Sequence, residues 1–226
     1  MRRRAPLALG LKVVLILGAC SSIAGLASNA VRGDELRTIA LASPKSADGA
    51  PPDGCRSSST GKGSPAHWQI TSAEGTAMVT EGARVEEENR FPICVVDTAT
   101  ARNFDLSAVL IPMDGVVDQA GGLIFRLVDD ADYYLVRLNA LERDVRFFRV
   151  EGGVRTEIMG VEATVLRWTH HLLRVTAFDD RFAVKLDGRL LFEARDGRFP
   201  AAGRIGIWSK SDSLMLFGEL ELRRDD

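Results

Sequence analysis

Two alternating apolar runs on either side of an acidic break constrain this chain more than any other feature. Residues 121–139 read GGLIFRLVDDADYYLVRLN. In the first run Leu123, Phe125 and Leu127 alternate with Ile124, Arg126 and Val128; in the second, Tyr134, Val136 and Leu138 alternate with Tyr133, Leu135, Arg137 and Asn139. A period of two sends successive side chains to opposite faces, so the stretch reads as an antiparallel hairpin with 129–132 as its loop. One face is apolar and belongs to a core. The other gathers Arg126, Tyr133, Arg137 and Asn139, with Arg126 expected opposite Leu135 and diagonal to Tyr133 and Arg137.

The rest of the chain from residue 66 has the same texture, with short apolar-alternating runs separated by Gly, Asp or Asn. Residues 172–178 turn at Asp179-Asp180 into 182–186, which turn at Asp187-Gly188 into 190–192. Asp-Gly between alternating hydrophobics is a strong two-residue hairpin signal, because both positions tolerate positive φ. Residues 204–210 and 214–222 supply closing strands. No βαβ rhythm appears, and about ten to fourteen short strands must bury their apolar faces against one another. The expected fold is all-β, a two-sheet antiparallel sandwich or jelly roll over residues 66–223. Trp68 and Trp168 begin runs that read as core-bound.

Residues 31–65 lack sustained periodicity and are rich in Ser, Gly, Pro and Ala, so they read as a disordered linker. Arg32-Gly33-Asp34 and Gly61-Lys62-Gly63 match short motifs by chance, without the flanking structure their chemistry requires. Upstream, Arg2, Arg3, Arg4 and Lys12 precede an apolar stretch over 13–27 and the small-residue run 27–30, as in a secretory signal cleaved after Ala30. Leu17-Gly18-Ala19-Cys20 offers a second route, lipidation of Cys20 as in a bacterial lipoprotein. Both routes predict an exported protein, periplasmic, secreted or tethered, that meets the membrane only through that segment.

Loss of residues 1–30 removes four basic and no acidic residues and moves the net charge from −2 to −6. That balance is opposite to a nucleic-acid binder's. Cys55 and Cys94 remain in a compartment where disulfides persist; they can pair, and Cys94 reads equally well as a small buried hydrophobe.

The order of signals from Gly121 onward resembles a known family. Gly-Leu-Ile-Phe-Arg126, Asp132-Tyr133-Tyr134-Leu-Val-Arg137-Leu-Asn139, Trp168, Asp187-Gly188, Asp196 and Gly203-Arg-Ile-Gly-Ile-Trp208-Ser-Lys210-Ser-Asp212-Ser213 together look like the 3-keto-disaccharide hydrolase-type domain of the concanavalin A-like lectin/glucanase superfamily. The resemblance spans residues 68–222 and implies a LamG-like jelly roll that meets sugars. The chain departs from the family's pattern at Asp132, commonly Asn, and at Phe217-Gly218, often Phe-Asp. Laminarinase-type relatives carry Glu-x-Asp-x-x-Glu on one strand; here the nearest string, Glu142-Arg143-Asp144-Val145-Arg146-Phe147, has Phe147 in the third carboxylate position and so lacks the acid/base.

The expected ligand is therefore a glycan or cell-envelope polysaccharide, held by Arg126, Tyr133, Arg137, Asn139, Trp208, Lys210 and Asp212. Arg and Asn supply donors, and Tyr and Trp supply apolar rings for a sugar. The alternatives are a glycoside hydrolase with Glu142, Asp144 and Asp212 as candidate catalytic carboxylates, or a structural envelope protein without ligand. An open polar face around Arg126 and Arg137 favours the first two, a covered face the third. No cofactor is expected; Asp212 alone gives weak grounds for a structural Ca²⁺, and adjacent His170 and His171 point to opposite sides of a strand, which disfavours a shared metal.

Overall fold

The computed structural model describes residues 36–225. The signal segment, Cys20 and residues 31–35 lie outside the described residues. In chain order the strands are β1 (Leu36–Ile39), β2 (Cys55–Gly61), β3 (Trp68–Ala73), β4 (Thr76–Glu81), β5 (Arg90–Ala101), β6 (Phe104–Asp114), β7 (Ala120–Asp129) and β8 (Asp132–Asn139). They continue with β9 (Asp144–Glu151), β10 (Val154–Glu162), β11 (His171–Phe178), β12 (Arg181–Leu186), β13 (Arg189–Arg195), β14 (Gly203–Ser209) and β15 (Leu214–Arg224). There is no helix among the described residues.

Two antiparallel sheets form a sandwich. Sheet A runs β13-β12-β11-β6-β15-β4-β3 with β1 added to β15, and sheet B runs β10-β9-β8-β7-β14-β5-β2. Strand alternation supplies the core between them: Leu123, Phe125, Tyr134, Val136, Leu138 and Phe147 from sheet B meet Leu106, Leu110, Leu173, Val175, Phe182 and Phe217 from sheet A. Phe125, Tyr134, Phe147 and Phe182 lie with ring centroids 4.9–6.0 Å apart, five of the six pairs tilted and Phe125–Phe147 stacked, within the separations that aromatic pairs favour. The expected turns form as read, with Asp187 and Gly188 both at positive φ.

Part of the expected linker is strand. β1 pairs with β15, and β2 pairs with β5 along its whole length from Cys55↔Val96 to Gly61↔Arg90. A disulfide joins Cys55 to Cys94 across that pair, with Cα atoms 5.4 Å apart. The Ser/Thr-rich run of β2 fits because its hydroxyls have specific partners: Ser58 Oγ donates to Asp130 Oδ2 at 2.6 Å and Thr60 Oγ1 to the Asp130 carbonyl at 2.8 Å.

Candidate functional site

Arg137, Asn139, Leu135 and Tyr133 project from β8 on the side of sheet B away from the main core, as alternation predicts. Register places Arg137 beside Gly122 of β7 and Arg146 of β9, and Asn139 beside Ala120 and Asp144. Trp208 of β14 lies beside Gly122 on one side and Ile93 on the other. Next to it, Gly206 must be glycine, since a Cβ there would sit 2.2 Å from the Cys94 carbonyl oxygen.

This face is not an open floor. In sheet order four strands separate β10 from β5, yet the Arg155 guanidinium on β10 lies 4.1 Å from the centroid of Phe91 on β5. The sheet therefore curls over on itself. Its β2 edge reaches over to the end of the β7–β8 hairpin, where Arg56 donates twice to Asp130, at 2.9 and 3.0 Å, and where Thr60 Oγ1 and the Tyr133 hydroxyl pair at 3.0 Å. Arg56 and Ser58 hold the Asp130 carboxyl below the usual carboxylate range. The curl encloses a second apolar cluster of Phe91, Ile93, Ile124, Tyr133, Leu135, Phe148 and Trp208. Trp208 and Tyr133 are fully buried there, which removes both from the surface where a sugar was expected to stack. Burial pushes the Tyr133 phenol up to about 12.

Arg126 does not join this face. Pairing of β7 with β8 shifts between Phe125 and Asp129, and Arg126 sits at φ 47° in the resulting bulge. Alternation is broken there, so Phe125 faces the main core while Leu127 joins the second cluster. Ile124, not Arg126, lies opposite Leu135. The Arg126 guanidinium instead donates to the carbonyls of Arg102, Asp179 and Phe199 and rests over Phe182, pinning loops at one end of the sandwich. Burial holds its pKa below the usual arginine value.

At the mouth of the curl the remaining expected residues converge. Arg137 donates to Asp144 and to Glu142, and Arg146 donates to Asp144 and Glu157. Asn139 donates to Asp118 at 2.8 Å, and Lys210 donates to the other oxygen of the same carboxylate. Asp212 is not the partner of Lys210: its oxygens accept from the backbone amides of Val116, Val117 and Asp118 at 2.6–3.2 Å, holding the loop that carries Asp118. Of the three candidate catalytic carboxylates, Asp144 and Asp212 are thus buried in fixed hydrogen bonds, and Glu142, 44% exposed, is paired with Arg137. No group of three or more His, Cys, Asp or Glu among the described residues is placed to hold a metal ion.

Arg155, absent from the sequence-based set, is the informative residue. Half-buried, it lies over Phe91, Phe148 and Trp208 at 4.1, 5.4 and 5.7 Å and makes no hydrogen bond or ion pair among the described residues. Burial, and then the neighbouring Arg137, lower its pKa. Counting alternation through the Gly152-Gly153 turn would have placed Arg155 across from Val150 and on the Tyr133 face. Trp168 is the second omission. Expected to pack, it is 64% exposed, while Trp68 is buried edge-on to Phe217 as expected.

No family model matches the chain. A 114-residue stretch, 50% of the chain, is 30% identical to a levanase of Bacillus subtilis (strain 168), and this chain spans only 17% of that protein's length. Among solved structures, the carbohydrate-binding module CBM66 from Bacillus subtilis superimposes with a TM-score of 0.56 at 22% identity, over 69% of this chain and 94% of that one. A native glycosidic hydrolase gives 0.55 at 10% identity, over 84% and 95%. The exoplasmic/lumenal domain of VIP36 in its Ca²⁺/Man-bound form gives 0.53 at 10% identity, over 76% and 83%. The fold shared with these structures is a two-sheet antiparallel jelly roll. In this jelly roll the curl of sheet B, not a flat sheet face, positions the polar cluster.

Proposed function

We propose that this jelly roll is a carbohydrate-binding domain whose ligand sits at the mouth of curled sheet B, against Arg155 and Arg137. The observation that carries the reading is Arg155: a guanidinium with five donors, seated on three aromatic rings, that lacks an acceptor among the described residues. Its neighbours Arg137, Arg146 and Lys210 all have carboxylate partners. A sugar hydroxyl or ring oxygen in front of Arg155 completes the set, and half-exposed Glu142 can accept from an adjacent hydroxyl. The aromatic seat costs Arg155 hydration without supplying hydrogen bonds, which favours a ligand that does.

The likeness to a levanase and to a carbohydrate-binding module puts fructans first among ligands. Calorimetric titration with levan, inulin, β-glucans, mannan and cell-wall fragments tests the reading. Binding to one class, weakened more than tenfold in Arg155→Met by loss of a charged hydrogen bond worth about 1.5–3 kcal/mol, is expected. The covered face around Arg126 and Arg137 is the feature that favours a structural envelope role, and absence of binding to every class decides for that role over binding at Arg155.

Hydrolysis of 3-keto-disaccharides, which the sequence resemblance implies, is the second reading. The engagement of Glu142, Asp144 and Asp212 weighs against it, and release of keto-sugar by the purified protein decides it. Export is part of the proposal. The disulfide between Cys55 and Cys94 supports an oxidising location, and mass spectrometry of the mature N-terminus distinguishes cleavage after Ala30 from lipidated Cys20.

A further inference from the structure

We propose that the outer face of sheet A is a second, separate glycan site, and that it takes an amino-sugar polymer with free amines. A groove of about 680 Å³ crosses that face. Its floor is apolar, built on Met78, Ile111 and Leu216, each only 5% exposed. Above the floor stands Trp168, the exposed residue at odds with its sequence context. It occupies φ 61°, a conformation that a bulky residue adopts at a cost of about 1–3 kcal/mol and keeps only where its surroundings over-determine it.

The Trp168 amide donates to the Pro112 carbonyl at 2.8 Å. The preceding residue, Arg167, clamps the Met113 carbonyl at 2.9 and 3.1 Å and the Asp114 carboxylate at 3.0 Å. A large indole is thus fixed outside the core by four hydrogen bonds from its own segment to the end of β6. The Arg167 guanidinium lies 5.7 Å from the ring centroid, and Trp168 remains 64% exposed. A rigid, exposed aromatic beside an apolar groove is what a pyranose ring stacks on.

The charge of the groove selects the sugar. Glu74, Glu219 and Glu221 line it, none of its described lining residues is Lys or Arg, and the Arg167 guanidinium beside Trp168 is paired with Asp114. The shift in pairing of β15 with β6 between Phe217 and Leu220 puts both Gly218 and Glu219 on this face, so the bulge itself delivers one of the three carboxylates. His170 Nε2, also in the lining, comes within 3.9 Å of Glu74 Oε2. Three exposed carboxylates repel uronic acids, sulfated glycans and phosphates, and attract ammonium groups spaced along a polymer. Carboxylates also accept from sugar hydroxyls, so the neutral part of each residue is satisfied by the same groups.

The test uses the purified chain with glucosamine oligosaccharide, its N-acetylated counterpart of equal length, and a Lys/Leu alternating peptide, each followed by calorimetry. The free-amine oligosaccharide is expected to bind at least tenfold more tightly than the acetylated one, and to weaken as salt rises from about 0.05 to 0.5 M. Trp168→Ala is expected to weaken it roughly tenfold, by loss of one stacking platform. Glu219→Gln/Glu221→Gln is expected to erase the preference for free amines. Gly218→Leu serves as a second probe, because a Cβ at Gly218 meets only Val109 at 3.6 Å and Met78 at 3.9 Å, so the longer side chain occupies the groove and should weaken binding of the free-amine oligosaccharide. Arg155→Met should leave this titration unchanged, which separates it from the site on sheet B. Equal affinity for the two oligosaccharides, no binding of either, indifference to Trp168→Ala, or peptide binding that the sugar cannot displace overturns the proposal.

Discussion

Replacing Glu81 by Ala is expected to be among the most damaging single changes in this fold. Arg90, at the start of β5, is fully buried, and Glu81, at the end of β4, is 1% exposed. The guanidinium donates to both Glu81 oxygens at 2.8 and 3.0 Å, and to the carbonyls of Ser64, Pro65 and Ser211 at 3.0–3.3 Å. Glu81 also accepts from the His67 amide at 2.8 Å. The pair links the two sheets, because β4 belongs to sheet A and β5 to sheet B. Removing the carboxylate leaves a charge without its counter-ion in a dry site, a loss of about 3–5 kcal/mol. For a domain of this size that corresponds to a fall in Tm of roughly 6–20 °C. Urea unfolding followed by tryptophan fluorescence should show a lower midpoint with an unchanged slope. Arg90→Met/Glu81→Leu should cost less than the two single changes combined, since replacing both partners removes the orphaned charge. A loss under about 1 kcal/mol for Glu81→Ala, or strict additivity, refutes the argument.

The chain has two tyrosines, both with phenols pushed up to about 12, Tyr133 chiefly by burial and Tyr134 by burial and Asp196. The folded state holds these protons where the unfolded chain releases them near pH 10, so the associated stability is complete below about pH 10 and is lost as pH rises toward 12. Ultraviolet titration should find no phenolate in folded protein at pH 10.5; substantial ionisation there contradicts the burial. Separately, Cys55→Ala/Cys94→Ala opens a loop of 39 residues and should cost about 4 kcal/mol in the chain-entropy account. Unchanged stability in that variant, measured by urea unfolding, means that β2 is held by its hydrogen bonds alone.

What could be read from sequence was set by local periodicity. The outward row of β8, Tyr133, Leu135, Arg137 and Asn139, is legible because its neighbours on the inner face are uniformly apolar, and the Asp187-Gly188 turn is legible because positive φ has a residue signature. The bulge at Arg126 leaves no such mark. Apolar residues stand at both 125 and 127, so the pattern continues while the faces exchange. β1 and β2 were hidden for a related reason: polar edge-strand residues such as Ser58 and Thr60 look like linker until their partners, Asp130 and Tyr133, arrive from some 70 residues away. Burial of Trp208 and exposure of Trp168 likewise depend on the curl of sheet B and on the pinning of the segment before β11, both products of long-range contact.

The central claim is that an unpartnered guanidinium on an aromatic seat binds sugar. Parallel calorimetric titrations of the wild-type chain, Arg155→Met and Arg155→Lys with the tightest glycan of the panel test it most directly. The account predicts a loss above tenfold for Arg155→Met and a partial recovery for Arg155→Lys, which restores the charge but not the planar donor fork. Equal affinity in all three proteins, with the fold intact by circular dichroism, contradicts it.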